Sequence, residues 1–263
     1  MFDLTMKSLA ADFANARGLM TRHWFGGILL ALLCGTAQAE SPEALLKRAD
    51  AWRLSADNMK VETRIEVMKN GALEKERDYL VFLRPGRESL VLMQSPAEKG
   101  QKVLMKADDF WMILPGSQRP IRITPTQKLI GDAAAGDVAT LSWSEDYAPA
   151  QTEAEKCESV ACTHLTLKAK QASVTYARIE LWVDTKTAQP IRADLFVVSE
   201  KLAKRASFEV GTVSGKPQVT RMIIDDEILT NRRTVLHYRS RIAYEAPEAW
   251  FNPMYLTRNT VAP

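Results

Sequence analysis

The sequence predicts a mainly β protein with a few helices, built on a broad antiparallel sheet. From Met59 to Tyr244, apolar and polar residues alternate with period two in about eleven segments, which marks strands with one wet face. Turn signals separate them, among them Asn70-Gly71, Pro85-Gly86 and Pro115-Gly116. Helical character is confined to two stretches, one starting at Ser41 and one after Thr124.

Residues 1–39 read as an address. Arg22 precedes the apolar run Trp24 to Leu33, and Ala37-Gln38-Ala39 supplies a small-x-small cleavage site. The run falls short of the roughly 20 residues that span a bilayer. Met20 is the expected initiator, with residues 1–19 an over-extended start. Cys34 raises the alternative of a lipoprotein signal. Leu33 stands where that signal needs a small residue and Ala31 where leucine is usual, so the expectation is a signal cleaved after Ala39. Residues 40–263 then form one domain in the periplasm, long enough for a sizeable core. Without Lys7, Arg17, Arg22, Asp3 and Asp12, the 35 bases and 32 acids fall to 32 and 30, a near-balance that gives no argument for nucleic acid.

Ser41-Pro42-Glu43 opens a helix with a capping serine, a proline in the first turn and an acid near the positive end. Leu45, Leu46, Ala49, Trp52 and Ala56 recur at helical spacing, and Asp57-Asn58 ends the run. Strands follow at Met59–Val67, Leu73–Leu83 and Glu88–Gln94. Residues 98–123 hold Lys99-Gly100, an extended Val103–Met105, the apolar Phe110–Leu114 and a basic strand from Arg119 to Ile123. Pro125–Ile130 and Ala133–Trp143 are helix-prone, and 144–156 read as a polar, acidic loop. Further strands fit Thr163–Ala169, Tyr176–Val183, Ile191–Val197, Arg205–Val210, Val219–Asp225 and Arg233–Tyr244. Cys157 and Cys162 are expected to form a disulfide in an oxidising compartment; zinc wants about four ligands, and few histidines accompany them.

Catalysis has little support. His164 and His237 lie on strand patterns, His164 facing solvent with Thr166 and Lys168, and neither has a spaced partner to orient it. The sequence holds no nucleophile elbow and no phosphate-binding glycine loop. Asp225-Asp226-Glu227 reads as a solvated strand end rather than a cation site. Arg232-Arg233, Arg239 and Arg241 read as a solvated basic face, with contact to anionic lipid or an acidic partner as the alternative. No enzyme, metal or cofactor is expected.

Two or three helices, each about 10 Å across, cannot seal a sheet of about ten strands spaced about 4.8 Å apart. Either the sheet curls around a partly filled apolar hollow, or it closes into a packed barrel or sandwich. Periodicity leaves both open. Phe110, Trp111, Met112 and Leu114 form a strand too apolar for one wet face. It is either a central core strand or a cavity wall, with Met93 and Met105 as adaptable neighbours.

The stretch from about Gln94 to Leu141 resembles the outer-membrane lipoprotein-sorting family, which has the fold of the periplasmic carriers LolA and LolB. The resemblance rests on Lys99-Gly100, Trp111 with Pro115, Arg119, Arg122-Ile123, Thr124-Pro125-Thr126-Gln127 and Gly131-Asp132. It implies an unclosed half-barrel, a curled antiparallel sheet with a helical lid. It implies a non-enzymatic carrier that moves a lipoprotein acyl group or another lipid toward the outer membrane. In such a hollow, alternate members of Phe110, Trp111, Met112 and Leu114 would line the cavity while the others pack under the helices, with Met93, Met105 and Met112 as adaptable walls and Leu129 and Ile130 on the lid. Arg119 and Arg122 would meet a head group or partner, against the alternative of a charge-guarded edge strand. An inner-membrane transporter of the RND type is the implied partner, with transient membrane contact and a monomeric carrier. The second reading is a sensor of lipid or lipoprotein in an envelope response, or an accessory subunit of such an exporter. The aromatic tail through Trp250-Phe251-Asn252-Pro253-Met254-Tyr255 extends beyond the lipoprotein carriers, and an added strand or a partner contact is expected there.

Overall fold

The computed structural model describes residues 40–54, 57–124, 137, 142–158, 160–213 and 215–262. The expected leader, the segment 125–136 and Leu129 and Ile130 within it lie outside the described residues. Alternation becomes β1 (Met59–Lys69), β2 (Ala72–Arg84), β3 (Glu88–Met93), β4 (Lys102–Lys106), β5 (Asp109–Ile113) and the short β6 (Ile121–Arg122). A second arm follows: β7 (Tyr147–Cys157), β8 (Val160–Ala169), β9 (Arg178–Asp184), β10 (Pro190–Phe196), β11 (Leu202–Val213), β12 (Lys216–Asp226) and β13 (Arg232–Ala243). Helix α1 (Pro42–Ala51) precedes the sheet, α2 (Trp143–Asp146) leads into β7, and α3 (Pro253–Arg258) follows a 3-10 turn at Glu248–Phe251.

All 13 strands form one sheet in the order β6-β5-β4-β3-β2-β1-β13-β12-β11-β10-β9-β8-β7, each pair antiparallel. The sheet does not close, because its edges are β6 and β7. Those edges are consecutive in sequence, joined by residues 123–146. At the β1–β2 hairpin Asn70 and Gly71 take φ of 53° and 80°, the left-handed pair that a two-residue turn matching strand twist requires. At Gly100, φ is +88° and an added Cβ would meet Pro115 Cγ at 3.2 Å, so the turn before β4 packs directly on the turn after β5.

Three expectations need correction. Residues 144–156 are not a loop but α2 and most of β7: their polar character belongs to an edge strand whose outer face is solvated. Helix α1 ends at Ala51 rather than at Asp57, its last turn tightening to i→i−3 bonds from Trp52 N–H to the Ala49 carbonyl at 3.3 Å and from Arg53 N–H to the Asp50 carbonyl at 2.8 Å. The aromatic tail adds no strand. It folds as the 3-10 turn and α3, and covers the outer face of β2–β5.

That cover gives the first arm two buried faces. Val81, Leu83, Val91, Val103 and Met105 join the cluster of the concave face. Leu80, Phe82, Leu90, Leu104 and Ile113 join a second cluster with Trp250, Phe251 and Leu256. Phe82 meets Trp250 edge-on at 5.1 Å and Tyr244 at 5.4 Å. Lys102 Nζ donates to the Leu256 carbonyl at 3.0 Å, and burial lowers the pKa of that ammonium. The second arm keeps a wet outer face, where Trp182 is stacked by His164 at 4.3 Å and by the Arg192 guanidinium at 3.7 Å. Cys157 and Cys162 form a disulfide across the β7–β8 hairpin, as the compartment argument expects.

Phe251 is fully buried at the centre of the tail's contact with the sheet. Replacing it with alanine should destabilise the protein by about 3–5 kcal/mol, the usual range for emptying an aromatic core site. Urea denaturation measures this, and a loss below about 1 kcal/mol would show the tail to be a loose cover.

Candidate functional site

The concave face is the apolar side of one curled sheet. Val61 and Ile65 on β1, Leu236 and Tyr238 on β13, Met222 and Ile224 on β12, and Phe208 on β11 project into it. Helix α1 crosses it, with Leu45, Leu46 and Ala49 inward. The Ser41 hydroxyl caps α1 by accepting from Ala44 N–H at 3.2 Å. Its far end is fixed by Trp52 Nε1, which donates to the Thr187 carbonyl at 3.0 Å, and by the Trp52 carbonyl, which accepts from Val219 N–H at 2.9 Å.

Buried Asp50 ties α1 to α2. Its carboxylate accepts from Trp143 N–H at 2.8 Å, Ser144 N–H at 2.7 Å and the Ser142 hydroxyl at 3.2 Å. Trp143 then packs edge-on against Phe208 at 5.5 Å, with the Arg53 guanidinium 4.0 Å above its ring.

A cleft of about 760 Å³ opens between α1, α2 and the ends of β2 and β7. Leu46, Leu54, Leu83, Met105 and Tyr147 give it apolar walls; its rim carries both signs, with Lys47, Arg84, Arg87 and Lys170 among Glu43, Asp57, Glu88, Glu145 and Asp146. The volume falls in the range of small-molecule sites, which run about 300–1,000 Å³. Arg87 on this rim is paired with Asp146 and, at 2.6 Å, with Asp108. Behind α2 lies a smaller cavity of about 50 Å³, walled by Trp143, Tyr176, Phe208 and Met222, with Arg53 and Asp137 as its charged members. Asp137 accepts from Lys204 Nζ at 2.5 Å and from the Tyr176 hydroxyl at 2.7 Å. Burial pushes the Tyr176 and Tyr147 phenols well above their ordinary range, so both are neutral donors.

The residues singled out from the sequence divide. Met105 lines the cleft, Phe110 is buried in the concave cluster, and half-buried Met93 and Met112 pack against it. Trp111 points the other way, into the cluster under the tail. Leu114 is half-buried just past β5. Arg119 and Arg122 are exposed beside the β5–β6 hairpin, and Arg122 pairs with Asp109. Asp225 pairs with Arg233 and Glu227 with Arg205, while Asp226 accepts two backbone N–H groups, so that acidic run is engaged within the protein. His164 is less open than expected: its ring nitrogens lie 3.0 Å from Glu155 and 2.7 Å from Glu180. Glu153, Glu155 and His164 have ligand-type atoms within 4.8 Å of one another, but on exposed acids and a histidine already shared with Glu180.

Arg241 corrects the expected solvated basic face. It is 7% exposed and lies on the concave side. A bulge explains it: Glu62 opposes Ser240 but Thr63 opposes Tyr238, so Arg239 is an extra residue and the phase flips. Arg53 is buried as well, and nothing in its helical spacing marks it.

A family model described as that of an uncharacterized protein matches residues 86–258. A LolA superfamily protein from Nitrosomonas europaea is 28% identical, with a TM-score of 0.75 over 82% of this chain and 100% of that one. A DUF1329 family protein from Desulfovibrio piger is 21% identical, with a TM-score of 0.66 over 81% of this chain and 97% of that one. A domain described as an outer membrane lipoprotein-sorting protein, from Vibrio parahaemolyticus, is 19% identical, with a TM-score of 0.64 over 81% and 98%. No curated protein matches the sequence.

Asp50 holds α2 on α1 by three hydrogen bonds to a charged acceptor. Asp50→Ala should lower stability by about 2–4 kcal/mol, given roughly 1.5–3 kcal/mol for each bond to a charge before relaxation. Hydrogen exchange should quicken first at residues 142–146; unchanged exchange there would remove Asp50 from this role.

Proposed function

The chain belongs to the family matched over residues 86–258 and has the LolA-like fold, and from that premise we propose that it binds a lipid or lipoprotein acyl group in its concave hollow. The observation that carries this is the open sheet: 13 strands whose edges do not meet, an apolar concave face, and a cleft of about 760 Å³ leading in beside α1. Its inner walls are largely aliphatic, aromatic and methionine side chains. They offer dispersion contacts and area burial to flexible chains at about 0.8 kcal/mol per methylene.

The proposed role is a carrier rather than an enzyme. It would be exported by a leader cleaved after Ala39, work in the periplasm, and receive cargo from an inner-membrane exporter, an RND-type transporter fitting that place. The Cys157–Cys162 disulfide supports an oxidising compartment.

Protein purified from the periplasm should yield, on organic extraction and mass spectrometry, about one lipid per chain. Met222→Lys places an ammonium in the concave wall. It should weaken binding of a fluorescent fatty acyl probe at least tenfold, consistent with the several kcal/mol for burying an unpaired charge. A lipid-free protein that ignores the probe, or equal affinity in the variant, would refute the reading.

A further inference from the structure

Two buried arginines, Arg53 beside the small cavity and Arg241 on the concave face, have no carboxylate partner among the described residues. Arg53 is 3% exposed and Arg241 7%. The Val219 peptide brings them together: its N–H holds the carbonyl of Trp52, the neighbour of Arg53, and its own carbonyl accepts Arg241 Nη2 at 2.5 Å. Arg241 Nη1 donates to Gln218 Oε1 at 3.1 Å. Four buried polar atoms then have no hydrogen-bond partner among the described residues: Arg53 Nε, Arg53 Nη1, Arg241 Nε and the Tyr238 hydroxyl. Aromatic faces hold both guanidiniums in place, Trp143 at 4.0 Å from Arg53 and Tyr238 at 4.4 Å from Arg241.

The buried acids nearby are engaged elsewhere. Asp50 is taken by the start of α2, and Asp137 by Lys204 and Tyr176. Burial, the largest effect, holds the pKa of Arg241 down to about 10; Tyr238 opposes it, and the charge of Arg53 adds a smaller lowering. The guanidinium therefore stays charged at neutral pH although its surroundings disfavour the charge. Buried, unpaired and incompletely bonded cations are costly in a folded protein, and an anion between them removes that cost.

We infer that Arg53, Arg241 and Tyr238 recognise the anionic head group of an amphiphile, a carboxylate or a phosphodiester, whose chain lies in the apolar hollow. The inference rests on the lipid-binding reading and deepens it by assigning the ligand a charge. Oxygen acceptors suit the free donors, since carboxylate and phosphate both take guanidinium N–H groups in charge-assisted bonds. The small cavity beside Arg53 is walled by Phe208, Met222 and Ile224, so the surface next to that guanidinium is apolar.

The test titrates the full chain, freed of copurified lipid, with three probes of one acyl chain. Oleate carries a carboxylate, oleoyl lysophosphatidylglycerol a phosphodiester, and monoolein no charge. Calorimetry should find at least one anionic probe bound at least tenfold tighter than monoolein, and the tighter of the two names the head group. Arg53→Gln and Arg241→Gln should each remove at least tenfold of that affinity and leave monoolein unchanged. Thermal melts establish that the variants fold. If either does not, Tyr238→Phe removes only the free hydroxyl and should weaken the anionic probes alone, about threefold. Equal affinity of the wild-type protein for all three probes overturns the head-group inference while lipid binding stands. Parallel losses for charged and neutral probes in the variants overturn it too. No binding of any probe overturns both.

Discussion

Pairing of β1 with β13 is the constraint on which the molecule depends. It runs from Met59 opposite Ala243 to Lys69 opposite Arg232, and joins the start of the sheet to its end. The first arm then unrolls outward from β1 to β6, and the second returns from β7 to β13. The edges are therefore the two strands that the chain visits consecutively. A sheet built this way stays open between β6 and β7, and the described cover of its concave face comes from helices α1 and α2. β6, two residues long and preceded by Pro120, is a poor template for further pairing, which keeps that edge from closing or recruiting another chain.

The two arms are stabilised differently, and the tail is the reason. Once the 3-10 turn and α3 lie on the outer face of β2–β5, those strands are buried on both sides. This accounts for the unbroken apolar run Phe110-Trp111-Met112-Ile113: Phe110 and Met112 turn toward the hollow, Trp111 and Ile113 toward the tail. The second arm relies on concave burial and on an outer face of paired charges and stacked rings. Exposed ion pairs contribute little individually, about 0–1 kcal/mol, so its stability rests on the concave side.

Much of this was legible in the residues. Alternation locates the strands because side chains on a pleated backbone reverse at every step, and Asn70-Gly71 announces its hairpin because both positions need positive φ. The serine-proline start of α1 is local chemistry and reads correctly. Failures arise where a long-range contact overrides a local pattern. β7 looks like a loop because its polar residues make sense only against β8. The tail's aromatic residues do not reveal that they cover the back of β2–β5. At Arg239 one inserted residue reverses the faces of all that follows, and carries Arg241 from the expected wet face to the interior. The candidate site suffers most from this. Its apolar walls follow from periodicity, while its buried charges depend on a bulge and on a helix end.

The buried charges also bear on how such a hollow discriminates. An apolar wall rewards every acyl chain alike, at about 0.8 kcal/mol per methylene, and tells one chain from another only weakly. A hydrogen bond to a buried charge contributes about 1.5–3 kcal/mol and depends on direction. On the proposed reading, the hollow would supply affinity, and the donors on Arg53, Arg241 and Tyr238 would supply orientation and choice of head group. An open sheet with a few deep donors would then refuse a greasy molecule that fits the walls but leaves those donors without an acceptor.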